Sequence, residues 1–316
     1  MRIGVDLGGT NIKVGAVDWQ GKILLQNSRQ TKVKRGVGPI IQDIIEQIEE
    51  ILEKTSTSLE ELKSIGIGVP GLVEAKTGKV IYITNMFWWD VELGKTIGNY
   101  FNKPTYVDND AIVAGLAEKI AGSTKGLKNS VFITLGTGVG GGFIINDKVY
   151  SGGHGWGSEI GHMVLGENFY TCNCGQNGCW ETFVSATAII RYTKKRIAEG
   201  MNDSLIVKMV NGNLEDLEGK IIFDAAKQGD KLAMEVVNRF IKYLAIGIVN
   251  IYNIIDPECI AIGGGLSKAG DFILKPLREE VNKRVFSKEI KYGDILLAEL
   301  GNNAGIIGAA FLGENI

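Results

Sequence analysis

One stretch of the chain concentrates side chains that could do chemistry. From Glu159 to Glu181 the sequence reads EIGHMVLGENFYTCNCGQNGCWE. His162, Cys172, Cys174 and Cys179 supply one nitrogen and three sulfurs, the donor mix of a closed tetrahedral zinc site. Three of the four cysteines fall between residues 172 and 179, too crowded for a disulfide framework and well spaced for a metal. The bland alternative is four reduced side chains that happen to be neighbours. A full set of four protein ligands leaves no open position for an activated water, so a metal here would shape the loop that presents Glu181 and leave the reaction to other groups. Glu159 and His162 are three apart and would face the same way on one helical turn.

Two glycine-rich turns flank this stretch. DLGGTN at 6–11 lies between two apolar runs, with Lys13 just beyond, and LGTGVGGG at 135–142 repeats the arrangement. Backbone N–H groups in such turns can face a phosphate. Each alone could be an ordinary hairpin turn. As a matched pair they point to phosphate. Neither is a Walker loop, since no GKS or GKT follows, and neither is a dinucleotide fingerprint, since Gly8 and Gly9 lead into a strand. Asp108-Asn109-Asp110 at a strand-to-helix junction offers either helix caps or a general base within reach of a substrate hydroxyl. His154, between two glycines, reads as a solvated loop residue, and Cys259 as a buried small residue. For Phe87, Trp88 and Trp89, core packing is the expected fate of most, with a sugar-stacking lid as the alternative.

The elements that must position these groups follow from periodicity. Residues 2–28 read as an antiparallel meander of three strands broken at Gly8-Gly9 and at Gly21. Pro39 to Leu52 places isoleucines at three and four residue spacing, an amphipathic helix. A strand at Ser64 to Val69 is followed by an aromatic loop, Asn85 to Asp90, a helical patch, a strand at Pro104 to Val107 and a helix at Ala111 to Ile120. The plan then restarts: SVFITLGTGVGGGFIINDKVYSGG at 130–153 repeats that of residues 1–24. Further helices are expected at Ala186 to Glu199, Ile222 to Gln228 and Leu232 to Ile255, with a strand at Cys259 to Ile262 running into Gly264 and Gly265. A last helix, Gly305 to Leu312, should pack back on the first half. The expected class is α/β, two lobes built from duplicated βββαβα-type halves around a central cleft: 1–115 with 301–316, and 116–300.

Bulk composition narrows the partners. With 34 basic and 36 acidic side chains the net charge is -2, which gives no footprint for nucleic acid or an anionic membrane. No signal peptide or membrane-spanning segment is evident, so a cytoplasmic protein with a small-molecule ligand is expected. Glycine is in excess, 43 residues against 5 prolines, so the backbone must approach something closely where glycines cluster.

In their order, DLGGTNIKVG, GIGVPGLV, VDNDA, LGTGVGGG, GSEIGHM, CNCGQNGCWE and DPECIAIGGGLS resemble the ROK family (repressors, open reading frames and kinases) of the actin-like ATPase superfamily, whose fold is ribonuclease H-like. The resemblance spans the whole chain and its zinc motif is the most specific part. It implies an ATP-dependent hexose kinase acting on the 6-hydroxyl of glucose, with N-acetylmannosamine, N-acetylglucosamine or fructose as alternative acceptors. Asp6 would bind magnesium. Gly8, Gly9, Thr10, Asn11 and Lys13, with Gly136, Thr137 and Gly138, would hold the ATP phosphates, and Gly264 and Gly265 would lie against the adenosine. Asp110 would be the base, while Asn109, Glu159, His162 and Glu181, with Asn85 and Gly71 as weaker matches, would hold the sugar. His162 would serve twice, one ring nitrogen on structural zinc and the other toward the sugar. Ser158, before Glu159, departs mildly from the family pattern. A homo-oligomer, dimer or tetramer, is also implied. The family's sugar-sensing repressors carry a helix-turn-helix ahead of the DLGGT turn, for which residues 1–5 leave no room, so the kinase is the expectation.

Overall fold

The computed structural model describes residues 1–314. Its first half runs β1 (Arg2–Leu7), β2 (Asn11–Val17), β3 (Ile23–Gln30), α1 (Val37–Lys54), β4 (Ile65–Val69), β5 (Leu72–Glu74), β6 (Lys79–Ile83), β7 (Trp88–Val91), α2 (Leu93–Phe101), β8 (Thr105–Asn109) and α3 (Asp110–Ala121). The second runs β9 (Ser130–Leu135), β10 (Val139–Ile145), β11 (Lys148–Tyr150), α4 (Glu181–Val184), α5 (Ala186–Ala198), α6 (Leu205–Met209), α7 (Gly219–Lys227), α8 (Lys231–Ile255), β12 (Cys259–Gly263), α9 (Asp271–Arg284), β13 (Asp294–Leu297) and α10 (Ala304–Ala310). Two five-stranded sheets have the orders β3-β2-β1-β4-β8 and β11-β10-β9-β12-β13. The orders are the same position by position, which is the duplication expected from the repeated sequence plan. β1, β2 and β3 pair antiparallel, whereas β4 joins β1 in parallel and β8 joins β4 in parallel. Two compact units separate: one comprises Met1–Phe132, Gly142–Ser158 and the described residues from Ala298 on, the other Ile133–Gly141 and Glu159–Leu297.

In the first unit, α1 buries Ile40, Ile44, Ile45, Ile48, Ile51 and Leu52. Each such side chain contributes roughly 1.5–3 kcal/mol by leaving water. The same sheet also receives α10, and here the fit is backbone to backbone. A methyl group at Gly4 of β1 would fall on the Ile306 carbonyl, one at Gly66 of β4 on the Ala309 carbonyl, and one at Gly308 of α10 on the Val113 carbonyl of α3. The helix is therefore set against the sheet at a depth that only glycine permits. Glu118, fully buried at the end of α3, accepts hydrogen bonds from the Ser123, Glu299 and Leu300 N–H groups at 2.8, 3.1 and 3.0 Å, which fixes the approach to α10.

In the second unit, α8 is the spine. Asp230 caps it by accepting from the Ala233 N–H at 2.8 Å, and Asp256, left-handed ahead of Pro257, ends it. Its stripe of Leu232, Val236, Phe240, Leu244, Ile248 and Ile251 is buried. Gly247 leaves room for the Trp180 ring, whose Nε1–H donates to the Tyr243 carbonyl at 2.9 Å.

Besides the short strands β5, β6 and β13 and the helix α6, three features differ from the sequence reading. The aromatic loop is partly a strand: β7 closes a small sheet, β5-β6-β7. Of its aromatics only Trp88 enters the core, at 0% exposure, while Phe87 and Trp89 stand 75% and 60% exposed. Strand alternation sends successive side chains to opposite faces, and a three-residue aromatic run cannot all face inward. The third is α9, unforeseen because Pro276 and a run of charges obscure its buried Ile273, Leu274, Leu277 and Val281. Among the described residues no helix is long and apolar enough to cross a membrane.

The glycine seam makes a direct prediction. Gly66→Ala should lower the unfolding free energy by about 3 kcal/mol or more, because a carbonyl cannot move aside as a side chain can. Urea unfolding of the variant checks it.

Candidate active site and metal cluster

In the first unit the turn between β1 and β2 is closed by the Gly8 N–H donating to the Asn11 carbonyl at 2.9 Å. A residue that sequence reasoning passed over clamps it: the Thr31 hydroxyl donates to the Gly8 carbonyl at 2.6 Å and the Thr31 N–H to the Thr10 carbonyl at 2.9 Å. Asp6 and Lys13 are register partners across β1 and β2, and Lys13 Nζ lies 3.1 Å from Asp6 Oδ2. Gly305 brings the start of α10 against Asp6, where a methyl would come within 2.6 Å of the carboxylate carbon. The Asn85 amide flanks Gly9 closely enough that a methyl on Gly9 would meet it at 3.1 Å. Asp6, Gly8, Gly9, Thr10, Asn11, Lys13 and Asn85 thus gather around one turn.

The Asp108-Asn109-Asp110 triplet divides its roles. Asn109 caps α3, its Oδ1 accepting from the Ala111 N–H at 2.9 Å while its Nδ2 donates to the Gly71 carbonyl at 3.0 Å. The capping reading therefore holds for Asn109, and Gly71, at φ 135, acts by presenting a carbonyl to it. Asp110 is the first residue of α3 and exposed, a position where the helix dipole favours a carboxylate. Asp108 points the other way into the core, 4% exposed, accepting from the Asn109 N–H at 2.8 Å. Burial pushes its carboxyl up to about 6, with the hydrogen bond opposing.

In the second unit the Gly136–Gly138 turn is tied to the cysteine stretch by a single carboxylate. Glu181 Oε2 accepts from the Val139 N–H at 3.0 Å, while its Oε1 lies 3.7 Å from Cys172 Sγ. A methyl at Gly138 would overlap that carboxylate. The turn is held from behind by the Ala186 N–H, 2.8 Å from the Gly136 carbonyl, and by the Thr187 hydroxyl, 2.8 Å from the Thr137 carbonyl. Neither contact had a signal in the sequence. Gly264, at φ 87, lies against the Leu135 backbone, so the glycines after β12 reach the strand that leads into the turn. A cavity of about 160 Å³ opens between turn and cysteine loop, lined among others by Thr137, Gly138, Tyr170, Cys172, Glu181 and Arg191.

His162 ends a single 3-10 turn, Ile160–His162, that Glu159 begins. Residues three apart eclipse on such a turn, and both are exposed. Gly161 seats the turn on the Val139 carbonyl, where a methyl would not fit. The ligand atoms of His162, Cys172, Cys174 and Cys179 all lie within 4.8 Å of one another. Cys174 and Cys179 sulfurs are 3.6 Å apart, and Cys172 Sγ is 3.8 Å from His162 Nδ1. Zinc–sulfur bonds of about 2.3 Å in a tetrahedron put neighbouring ligand atoms about 3.8 Å apart, so the set fits a zinc ion. Nδ1 faces the sulfurs, which leaves Nε2 for another partner. Isolated bridges, Val164 with Cys179 and Thr171 with Asn177, brace the loop.

Two mixed five-stranded sheets of one order make a two-domain α/β fold that matches ROK glucokinases of known structure. The chain belongs to the ROK family, whose sequence profile matches residues 2–315. It is 37% identical over 311 residues to the glucokinase of Halalkalibacterium halodurans, covering 98% of this chain and 94% of that protein. A ROK family glucokinase from Streptomyces griseus, solved in complex with glucose and AMPPNP, superposes with a TM-score of 0.82 at 32% identity over 98% of both chains. A putative xylose repressor from a Caldicellulosiruptor species is 31% identical over 97% of this chain and 76% of its own length.

Two measurements test this geometry. Purified protein should carry one equivalent of zinc by plasma mass spectrometry, and Cys174→Ser or Cys179→Ser should lose most of it; full zinc in both variants would remove the cluster as its site. Asp108 gives a pH signature. Its native carboxyl titrates above its unfolded counterpart, so protonation stabilises the fold below about pH 4, and that contribution is lost as pH rises through 6. Asp108→Asn, which does not titrate, should therefore gain on the wild type by up to about 3 kcal/mol between pH 4 and 7 in urea midpoints.

Proposed function

We propose that this chain is an ATP-dependent glucokinase, transferring the terminal phosphoryl group of ATP to the 6-hydroxyl of glucose. The observation that carries the reading is an exposed carboxylate, Asp110, at the head of α3, in a family member most of whose length matches a glucokinase at 37% identity. Asp110 takes the proton of the 6-hydroxyl as the oxygen–phosphorus bond forms and the bond to ADP breaks. Asn109, held by Gly71 and by the Ala111 N–H, keeps the helix start fixed while the proton moves. Glu159, the free Nε2 of His162, Glu181, Asn109 and Asn85 orient the sugar hydroxyls. The backbone N–H groups of the Gly8–Asn11 and Gly136–Gly138 turns, with Lys13, hold the phosphates, Gly264 and Gly265 lie against the adenosine, and Asp6 would hold a magnesium ion, which would offset phosphate charge. Bound zinc supplies no reactive group; its chemistry is to fix the loop and the orientation of His162.

Expected results are specific. A coupled assay over a hexose panel should give glucose the highest kcat/KM; preference for N-acetylmannosamine, N-acetylglucosamine or fructose would reassign the acceptor, and no phosphorylation of any would end the kinase reading. Asp110→Asn should cut kcat by roughly 10²–10⁴-fold with zinc content unchanged. Zinc-free protein should show a raised glucose KM, and an unchanged value would separate the cluster from the sugar.

A further inference from the structure

The second unit holds a half-buried cation that the proposed transfer does not use. Arg239, on α8, has its guanidinium among three rings, 5.0 Å from the centre of Phe183, 4.6 Å from that of Tyr192 and 4.7 Å from that of Tyr243. Among the described residues it forms no ion pair with a carboxylate, and burial holds it below the usual arginine range. Ring faces attract the charge, but an apolar side chain would fill the same space. What the guanidinium adds is one charged donor aimed at one atom: Nη2 donates to Asn168 Oδ1 at 3.2 Å.

Asn168 ties the cysteine loop to α4. Its Oδ1 also accepts from the Phe169 N–H at 2.9 Å, and its Nδ2 donates to both the carbonyl and the hydroxyl of Thr182, at 2.7 and 2.9 Å. The Thr182 hydroxyl in turn donates to the Cys179 carbonyl at 2.7 Å. With the amide turned over, its oxygen would face the Thr182 carbonyl and its nitrogen the guanidinium, so Arg239 and the Phe169 N–H decide which way it stands. Thr182 is buried and follows Glu181, whose carboxylate receives the Val139 N–H, and Cys179 belongs to the metal cluster. One amide thus sets both an acid of the proposed sugar site and a metal ligand, with no metal contact of its own.

We infer that Asn168 and Arg239 are positioning residues for the acceptor sugar: the amide sets where Glu181 and Cys179 stand, and the guanidinium sets which way the amide faces. The inference rests on the reading of Glu181 as a residue that orients sugar hydroxyls. It adds a second support to the cysteine loop, one made of hydrogen bonds and independent of the cluster. Neither side chain touches the Gly136–Gly138 turn, so their effect falls on the sugar and leaves the nucleotide alone.

Kinetics of the full, zinc-loaded chain test it. Asn168→Asp keeps the shape and the contact with Arg239 but cannot donate to Thr182, whereas Arg239→Met keeps the volume and removes the charged donor. Each should raise the glucose KM about tenfold or more, with kcat and the ATP KM within about threefold of wild type. Arg239→Lys should return the glucose KM to within about threefold of wild type, because a single hydrogen bond does not need the guanidinium fork. Zinc, followed by transfer to a colorimetric chelator, should leave the first two variants about tenfold faster, while the amount bound stays at one equivalent and shows that they fold. Should Asn168→Asp not fold, Arg239→Met, which alters no loop residue, decides alone. An unchanged glucose KM, an equal loss in kcat and both KM values as a general loosening would give, or no recovery with lysine would overturn the inference. Zinc release is read without turnover. Unchanged release in both variants overturns the support itself, whereas a wild type that phosphorylates no hexose overturns the kinase reading and leaves release to decide the support.

Discussion

Backbone packed directly on backbone or on a fixed polar group, where no Cβ fits, is the constraint on which the rest of this structure depends. Gly4 and Gly66 let α10 lie on the sheet, Gly308 lets it meet α3, and Gly305 brings its start against Asp6. In the second unit Gly161 seats the His162 turn on Val139, Gly264 sits on Leu135, and Gly138 leaves the space that the Glu181 carboxylate fills. These contacts bury peptide groups, so each must be paired, and the turns are indeed closed by hydrogen bonds from Thr31, Ala186 and Thr187 and by the Val139 N–H donating to Glu181. The glycines act at a distance of one atom. Their effect is to set where carboxylates and N–H groups stand.

Buried acids share that logic with different outcomes. Glu118 accepts hydrogen bonds from four donors and so ties α3 to the segment before α10. Asp108 has one donor, and burial raises its carboxyl toward neutrality. Asp110, two residues on, stands exposed at a helix start. Alternation alone would put residues two apart on one face, so it is the change from strand to helix at Asn109 that sorts the two acids into a core residue and a surface one.

Much of this was legible in the residues. The glycine excess announced close backbone approach, the repeat of residues 1–24 at 130–153 announced two sheets of one plan, and the cysteine spacing announced a cluster that the structure closes to within 4.8 Å. What was hidden depends on partners far away in sequence. A lone threonine at position 31 carries no pattern, and neither does the pairing of Glu181 with a peptide N–H in β10. β7 and β13 are four residues each, too short for period-two alternation to show, and α9 hides its stripe behind Pro276. Phe87 and Trp89 mislead because hydrophobic type alone does not say which face of a short strand is inward.

The position of α10 has a consequence for how the protein is made. The helix that covers β1 and β4 spans residues 304–310, so the first sheet the ribosome delivers is the last to be completed. Residues 133–297 contain the whole of the second unit and are synthesised before α10. Vectorial synthesis thus inverts the usual order, in which N-terminal parts finish first. Until α10 is made, the emerging N-terminal sheet must wait with the face that this helix covers open to water.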